Sequence, residues 1–266
     1  MMKKIMKNLD IILPVIILAF FVLAWLIAPN NPTKVSMELK YAAPSGQYPL
    51  GCDDLGRCVL SRVLCGGKTT LAIVLVGSAI VLLGATPIGM LMGKSRGGGL
   101  VANTILNAVT AIPALAFMIV FVGMLGNGVA TVMLAVTLSL FMRTIRLAKT
   151  ETEVELGKAY VDCAIASGAS TLNLLFVHVL PNIIASVLRY ILLACTELIM
   201  CIVGFSFIGI GLGDNVLDWG GMISDARAVI LVRPDLIVYP VIAVFLVSLS
   251  FNVLAQAIEK RGESRA

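Results

Sequence analysis

TETEVELGKAYVDCAIASGASTLNLLFVHVLPN, residues 150–182, is a polar insert in an otherwise apolar chain. Runs long enough to cross a bilayer flank it on both sides. The stretch reads as a helix, a glycine break at Gly168, and a second helix ending at Pro181. A membrane chain has no need of so ordered a segment merely to join two spans. Its form is that of a docking element for a soluble partner.

Working outward, composition sets the class. The chain has 266 residues, a mean hydropathy of +1.00, and only 13% charged residues. Soluble domains carry about 25% charged residues. A spanning helix needs about 20 mostly apolar residues, and several such runs occur. A barrel would instead show alternating segments of roughly 10 residues. The fold class expected is all-α: a polytopic membrane protein of about six transmembrane helices. Spans are expected at 11–28, 71–93, 101–125, 128–147, 183–212 and 236–257. The whole chain, 1–266, reads as one domain, with a core at 71–257 and an external segment at 29–70. The first apolar run, 11–28, exceeds a signal-peptide core of roughly 7–15 residues and reads as an uncleaved span.

The net charge of +5 marks topology rather than nucleic acid. Lys3, Lys4 and Lys7 precede the first span. Lys94 and Arg96 sit in a short turn. Arg143, Arg146, Lys149 and Lys158 enter the insert, and Lys260, Arg261 and Arg265 close the chain. Six spans put all of these on one side, and short-loop cations mark the cytoplasm. Both termini are therefore expected there. The opposite loops carry Glu38, Asp53, Asp54, Asp214, Asp218, Asp225 and Asp235. In the external segment LGRCVLSRVLCGG, residues 55–67, looks like an amphipathic helix along the interface. Trp219 is expected at an interface too.

Several local patterns need weighing. Gly66-Gly67-Lys68-Thr69-Thr70 ends like a phosphate-binding loop, but Arg62 stands where the first glycine is required. ATP must then be handled by another chain. His178 is the lone histidine, which excludes a multi-histidine metal site and favours structural hydrogen bonding. Glu197 falls near the middle of the fifth span, with Met200 and Cys201 following at i+3 and i+4. Intramembrane acids usually face a pathway or a polar partner, so these three are candidates for a translocation path. The other reading is a helix–helix hydrogen bond. Cys52 and Cys58 can close a small disulfide loop, share a metal, or remain free thiols. Gly204, Gly209, Gly211 and Gly213 suggest close helix packing.

Four segments together carry a family resemblance. Tyr48-Pro49-Leu50-Gly51-Cys52-Asp53-Asp54-Leu55-Gly56-Arg57-Cys58 resembles an external H-P-L-G-T-D-x-L-G-R-D motif. Asp162-Cys163-Ala164 with Gly168 resembles the cytoplasmic E-A-A-x-x-x-G loop. Phe205-Ser206-Phe207-Ile208-Gly209-Ile210-Gly211 resembles L-S-F-L-G-L-G. Trp219-Gly220, Asp225-Ala226-Arg227 and Phe251-Asn252 resemble a C-terminal W-G … F-N region. The chain thus resembles permeases of ABC importers in the dipeptide/oligopeptide/nickel group, from about Tyr48 onward. Asp162 and Cys163 depart from the usual Glu and Ala, and Cys52 and Cys58 from Thr and Asp.

The resemblance implies a transport subunit rather than an enzyme, in a bacterial inner membrane. It implies no cofactor in this chain, with ATP and Mg bound by two ATPase subunits. A second homologous permease and an external solute-binding protein complete the assembly. Tyr160, Asp162, Cys163, Ala164 and Gly168 would couple to the ATPases. Asp53, Arg57, Trp219, Asp225 and Arg227 would form an external gate or binding-protein contact. Met222-Ile223-Ser224-Asp225-Ala226-Arg227 points to nickel or a metal chelate as cargo, with di- or oligopeptides as the alternative. An ion channel would need a selectivity element, and none is recognisable.

Overall fold

The computed structural model describes residues 2–95, 100–213 and 215–263. Arg96, Asp214 and Arg265 lie outside the described residues, as do the side chains of Lys3, Lys4 and Lys7. The described residues are helical, without a strand; an isolated antiparallel bridge joins Cys52 and Cys58. In chain order the helices are α1 (Met2–Leu23), α2 (Val59–Lys94), α3 (Leu100–Thr110), α4 (Ala114–Leu125), α5 (Val129–Glu155), α6 (Ala159–Ala166), α7 (Thr171–Asn173), α8 (Leu180–Phe207), α9 (Trp219–Ala226) and α10 (Asp235–Glu263).

Five stretches are long and apolar enough to span a bilayer: Leu9–Ile27, Val59–Lys94, Val129–Glu155, Thr171–Phe207 and Asp235–Gly262. The sixth expected span, 101–125, is broken. Asn103–Thr110 and Ala114–Leu125 meet at 85°. Pro113 has no N–H to donate and pushes Ile112 out of the helical region, so the chain must turn there. The pair makes a sixth crossing only if it counts as one bent span.

The interfacial helix expected at 55–67 is instead the start of α2. A 36-residue helix is about 54 Å long, well beyond a hydrocarbon core of about 30 Å. The helix therefore carries the external segment and a span as one rod. It runs through Gly66 and Gly67 because tertiary packing, not propensity, holds it there.

α2 and α5 lie against each other along a glycine seam. A Cβ at Gly89 would stand 2.6 Å from the Ile145 carbonyl oxygen, and one at Gly93 2.8 Å from that of Lys149. Only hydrogen at these positions lets the backbones approach so closely. α8 packs on α5 and α10, and α1 lies across α10 and α2. Val74, Val81, Val136, Ile199, Ile202, Val247 and Phe251 fill the shared core. Outward residues such as Leu13, Ile16, Leu83 and Phe245 stay exposed and apolar, as a lipid-facing surface requires.

The glycines after α8 do something other than pack helices. A side chain at Gly204 or Gly209 would meet nothing within 4 Å. Gly209, Gly211 and Gly213 have φ of +80°, +122° and +90° and end the helix in left-handed turns. The Gly211 amide donates to Asn127 Oδ1 at 3.0 Å, and its carbonyl accepts from the Gly128 amide. The short turn 126–128 is thereby tied to the end of α8.

Candidate functional site: a rigid polar loop, an outer charge cluster and a mid-span ion pair

The polar insert folds as a braced lever. α6 presents Tyr160, Asp162, Cys163 and Ile165 to the outside while Val161 is fully buried beneath it. Its end is a Schellman motif: the Gly168 amide donates to the Ile165 carbonyl and the Ala169 amide to that of Ala164. Gly168 takes φ +83°, the left-handed conformation that this cap needs. The break at Gly168 is thus where the sequence places it.

The break expected at Pro181 is absent. Thr171–Phe207 is one continuous helical run, with a π-helical turn at Leu174–Val179. A wide turn just before Pro181 accommodates a residue that cannot donate to the α ladder. The second half of the insert is therefore the first part of a spanning helix.

Tyr160 clamps the two together. Its hydroxyl donates to Glu155 Oε1 at 2.6 Å and accepts from Asn182 Nδ2 at 2.9 Å. Asn182 also donates to the His178 carbonyl at 2.8 Å, so His178 acts structurally through its backbone. Glu155 is 5% exposed and pairs with Lys158 at 2.7 Å. Burial, then the hydrogen bond to Glu155, pushes the Tyr160 phenol up to about 12, so it stays a donor at neutral pH.

At the other end of the fold, Asp53, Arg57 and Asp225 come together with Arg62, which sequence reading treated only as a missing glycine. Asp53 accepts from Arg57 Nε at 2.7 Å and from Arg62 Nη1. Arg57 and Arg62 reach Asp225 at 3.1 and 3.0 Å. The network staples the loop, α2 and α9. It borders a cleft of about 370 Å³ that is also lined by Ser206, Asp218 and Ser224.

Two expected members of that outer group are elsewhere. Trp219 is fully buried rather than interfacial, with its Nε1 donating to the Val63 carbonyl at 2.9 Å. Arg227 stands over the Phe207 ring, 5.9 Å from its centroid. Asp218 caps α9 by accepting from the Gly220 amide at 2.9 Å, and burial raises its carboxyl above the usual range.

Cys52 and Cys58 are buried, adjacent across their bridge, and free thiols rather than a disulfide. Burial, then Cys58 and Asp53, raise the Cys52 thiol. Among the described residues no three His, Cys, Asp or Glu side chains gather as metal ligands. Lys68, in the apparent phosphate-loop remnant, lies 4.0 Å from the centre of the Trp25 ring.

The mid-span candidates separate. Glu197 and Met200 are exposed on one strip of α8, whereas Cys201 is buried, 8% exposed. Glu197 pairs with Arg143 of α5 at 3.0 Å. Arg143 was expected to enter the polar insert; it lies well inside α5 instead.

Comparison with known proteins agrees with this architecture. Residues 85–264 match the family described as binding-protein-dependent transport system inner membrane component. The chain is 37% identical over 216 residues to the peptide transport system permease protein SapC of Escherichia coli O6:H1 (79% of this chain, 72% of the relative). It is 29% identical to the glutathione transport system permease protein GsiD of Pectobacterium atrosepticum (81% and 72%). A chain of the MetNI methionine ABC transporter, inward facing, shares the fold with a TM-score of 0.57 at 17% identity, covering 74% of this chain and 95% of that one. These relatives favour the peptide alternative over nickel. The rigid loop, the apolar helices and the matched residues together make the chain a member of the binding-protein-dependent transport system inner membrane components, the permeases of ABC importers.

Proposed function

We propose that the chain is one of two transmembrane subunits of an ATP-driven importer of short peptides or peptide-like solutes. The observation that carries the coupling role is the build of α6. It is a short helix, exposed on its outer face and tied by Tyr160 to Glu155 of α5 and Asn182 of α8. A helix so held can transmit a push from a docked ATPase to the bundle as one body. ATP and Mg belong to that partner.

The chain sits in the bacterial inner membrane with both termini in the cytoplasm, which puts α6 on the ATPase side and the Asp53–Arg62–Asp225 cluster outside. An external solute-binding protein delivers cargo to the outer cleft. The path to the cytoplasm runs beside α5 and α8, past Glu197 and Met200, against a second permease. Peptide-like cargo draws support from the SapC and GsiD relatives. The pairing of Glu197 with Arg143 supports it too, because the arginine cancels the charge that a bare cation would seek.

Cys163 provides the test, because it is exposed on α6. In inside-out vesicles holding the assembled importer, a short reagent that joins a thiol to a lysine amine should link Cys163 to the ATPase subunit. Cys163→Ser should abolish the product. A cross-link to the external binding protein in its place would reverse the assignment.

A further inference from the structure

Arg143 and Glu197 are charged residues near the middles of α5 and α8, both helices that qualify as spans. The Glu197 side chain is 50% exposed and that of Arg143 21%. Charge at such depth does not face acyl chains; it faces protein or a watered path. The strip of α5 and α8 that carries them therefore faces something polar.

The geometry of the pair indicates what. Both Glu197 oxygens meet a single nitrogen, Arg143 Nη1, at 3.0 and 3.2 Å. The second nitrogen, Nη2, donates to the Ile112 carbonyl at 3.3 Å, where the break between α3 and α4 leaves that oxygen without a helical donor. The two-nitrogen fork that makes Arg–carboxylate pairs strongest is not formed. A second carboxylate can therefore compete for the guanidinium without first breaking an ideal contact. When it does, Glu197 is left to accept from a cation.

A zwitterion supplies both groups at once. Its carboxylate meets Arg143 and its ammonium meets Glu197, so each of the four charges keeps opposite neighbours while water is removed. A lone metal cation gains much less, since Arg143 repels it. Met200 shares the exposed strip, and its flexible thioether suits apolar side chains of differing shape.

We propose that Arg143 and Glu197 form a station on the translocation path that reads the two charged termini of a short peptide. The station rests on the peptide-import reading above and assigns that reading its recognising atoms. The carboxylate lies toward α5 and the ammonium toward α8. Binding stays weak because the station's own ion pair re-forms as the cargo leaves.

The experiment uses the assembled importer in proteoliposomes with its binding protein and labelled trialanine. Arg143→Gln and Glu197→Gln should each lower trialanine uptake about tenfold or more, the scale of losing one partner of a charge pair. All subunits should still co-purify. Glu197→Gln should change uptake of N-acetyltrialanine less than about twofold, and Arg143→Gln that of trialanine amide likewise, since the matching terminus is already neutral. Equal fold-losses for free and blocked peptides would assign the pair to subunit packing and overturn the station alone. The swapped variant R143E/E197R, which keeps an ion pair but reverses its polarity, should not restore trialanine uptake; full restoration would also overturn the station. No trialanine uptake by the unaltered importer would overturn the peptide reading together with the station.

Discussion

Trp219 and Gly67 are fitted to each other: a Cβ on Gly67 would fall 2.5 Å from the indole Cζ2. The indole stacks its edge on Phe21 and donates from Nε1 to the Val63 carbonyl. It locks α9 against the outer end of α2, so Trp219 and the Gly66-Gly67 pair are two halves of one contact, while Gly220 packs on α8 beside the Val203 carbonyl. Gly67→Ala should destabilise the fold by about 1–3 kcal/mol through overpacking. Thermal unfolding of the detergent-purified chain measures this. Trp219→Phe should cost about 1 kcal/mol, because it removes the indole hydrogen bond to the Val63 carbonyl. Wild-type stability in Gly67→Ala would show that the indole has room to move.

The outer charge cluster should respond unequally to loss of its acids. Asp53 is 7% exposed and serves two arginines, one of them nearly buried. Asp53→Ala leaves that buried guanidinium only the half-exposed Asp225 and should cost about 1–3 kcal/mol. Asp225 has a side chain 42% exposed, so Asp225→Ala should cost no more than about 1 kcal/mol. The comparison is made by thermal unfolding of both variants. Equal losses would remove the buried Arg62 as the reason.

At Gly168 the obstacle to a side chain is conformational rather than steric, because a Cβ would meet nothing within 4 Å while φ is +83°. Gly168→Val should strain the cap by about 1–2 kcal/mol. Transport and its coupling to ATP hydrolysis should both fall, with membrane insertion intact. Gly168→Asn, which tolerates left-handed φ better, should lie between. Normal transport by Gly168→Val, with Asp162→Ala also silent, would remove α6 from coupling.

The Tyr160 brace predicts a pH dependence. The phenol holds its proton to about 12, against an ordinary value of 10.0. Its raised value means that the anchoring contribution is intact below pH 10 and is lost as pH rises from 10 towards about 12. Protease cleavage of the loop, followed against pH, should accelerate over that window. Tyr160→Phe should show fast cleavage already at pH 8. A loop equally protected in Tyr160→Phe would mean that Val161 alone holds α6.

Lys68 gives the last expectation. Its ammonium lies over Trp25 inside a long helix, where no phosphate cradle exists. The chain purified alone should hydrolyse no ATP. Lys68→Ala should cost about 0.5–1 kcal/mol of stability and leave ATP hydrolysis by the full importer unaltered. Turnover by the isolated chain that Lys68→Ala abolishes would contradict this.

Much of the molecule is legible in the sequence. Apolar run length and low charge specify a helical membrane protein, because a bilayer accepts no unsatisfied backbone. Contrast against those runs exposes the polar insert, and Gly168 marks its cap because a left-handed turn wants glycine. The break in the third span is missed: 101–125 reads as one apolar run, and the 85° bend sets the Ile112 carbonyl against Arg143, a partner 31 residues away.

Only the tertiary structure decided which polar residues meet. Arg62 looked like a failed nucleotide motif, and it is the buried centre of the outer cluster. Trp219 looked interfacial, and it is the wedge between α9 and α2. Met200 and Cys201 share a helical arc with Glu197, yet α8's neighbours bury only the cysteine. Arg143 looked like a charge marking the cytoplasmic side, and it answers Glu197 across 54 residues. Local sequence sets helix, turn and hydropathy because those depend on near neighbours. Charge pairing depends on which helices touch and at what height, and packing of the whole bundle fixes both.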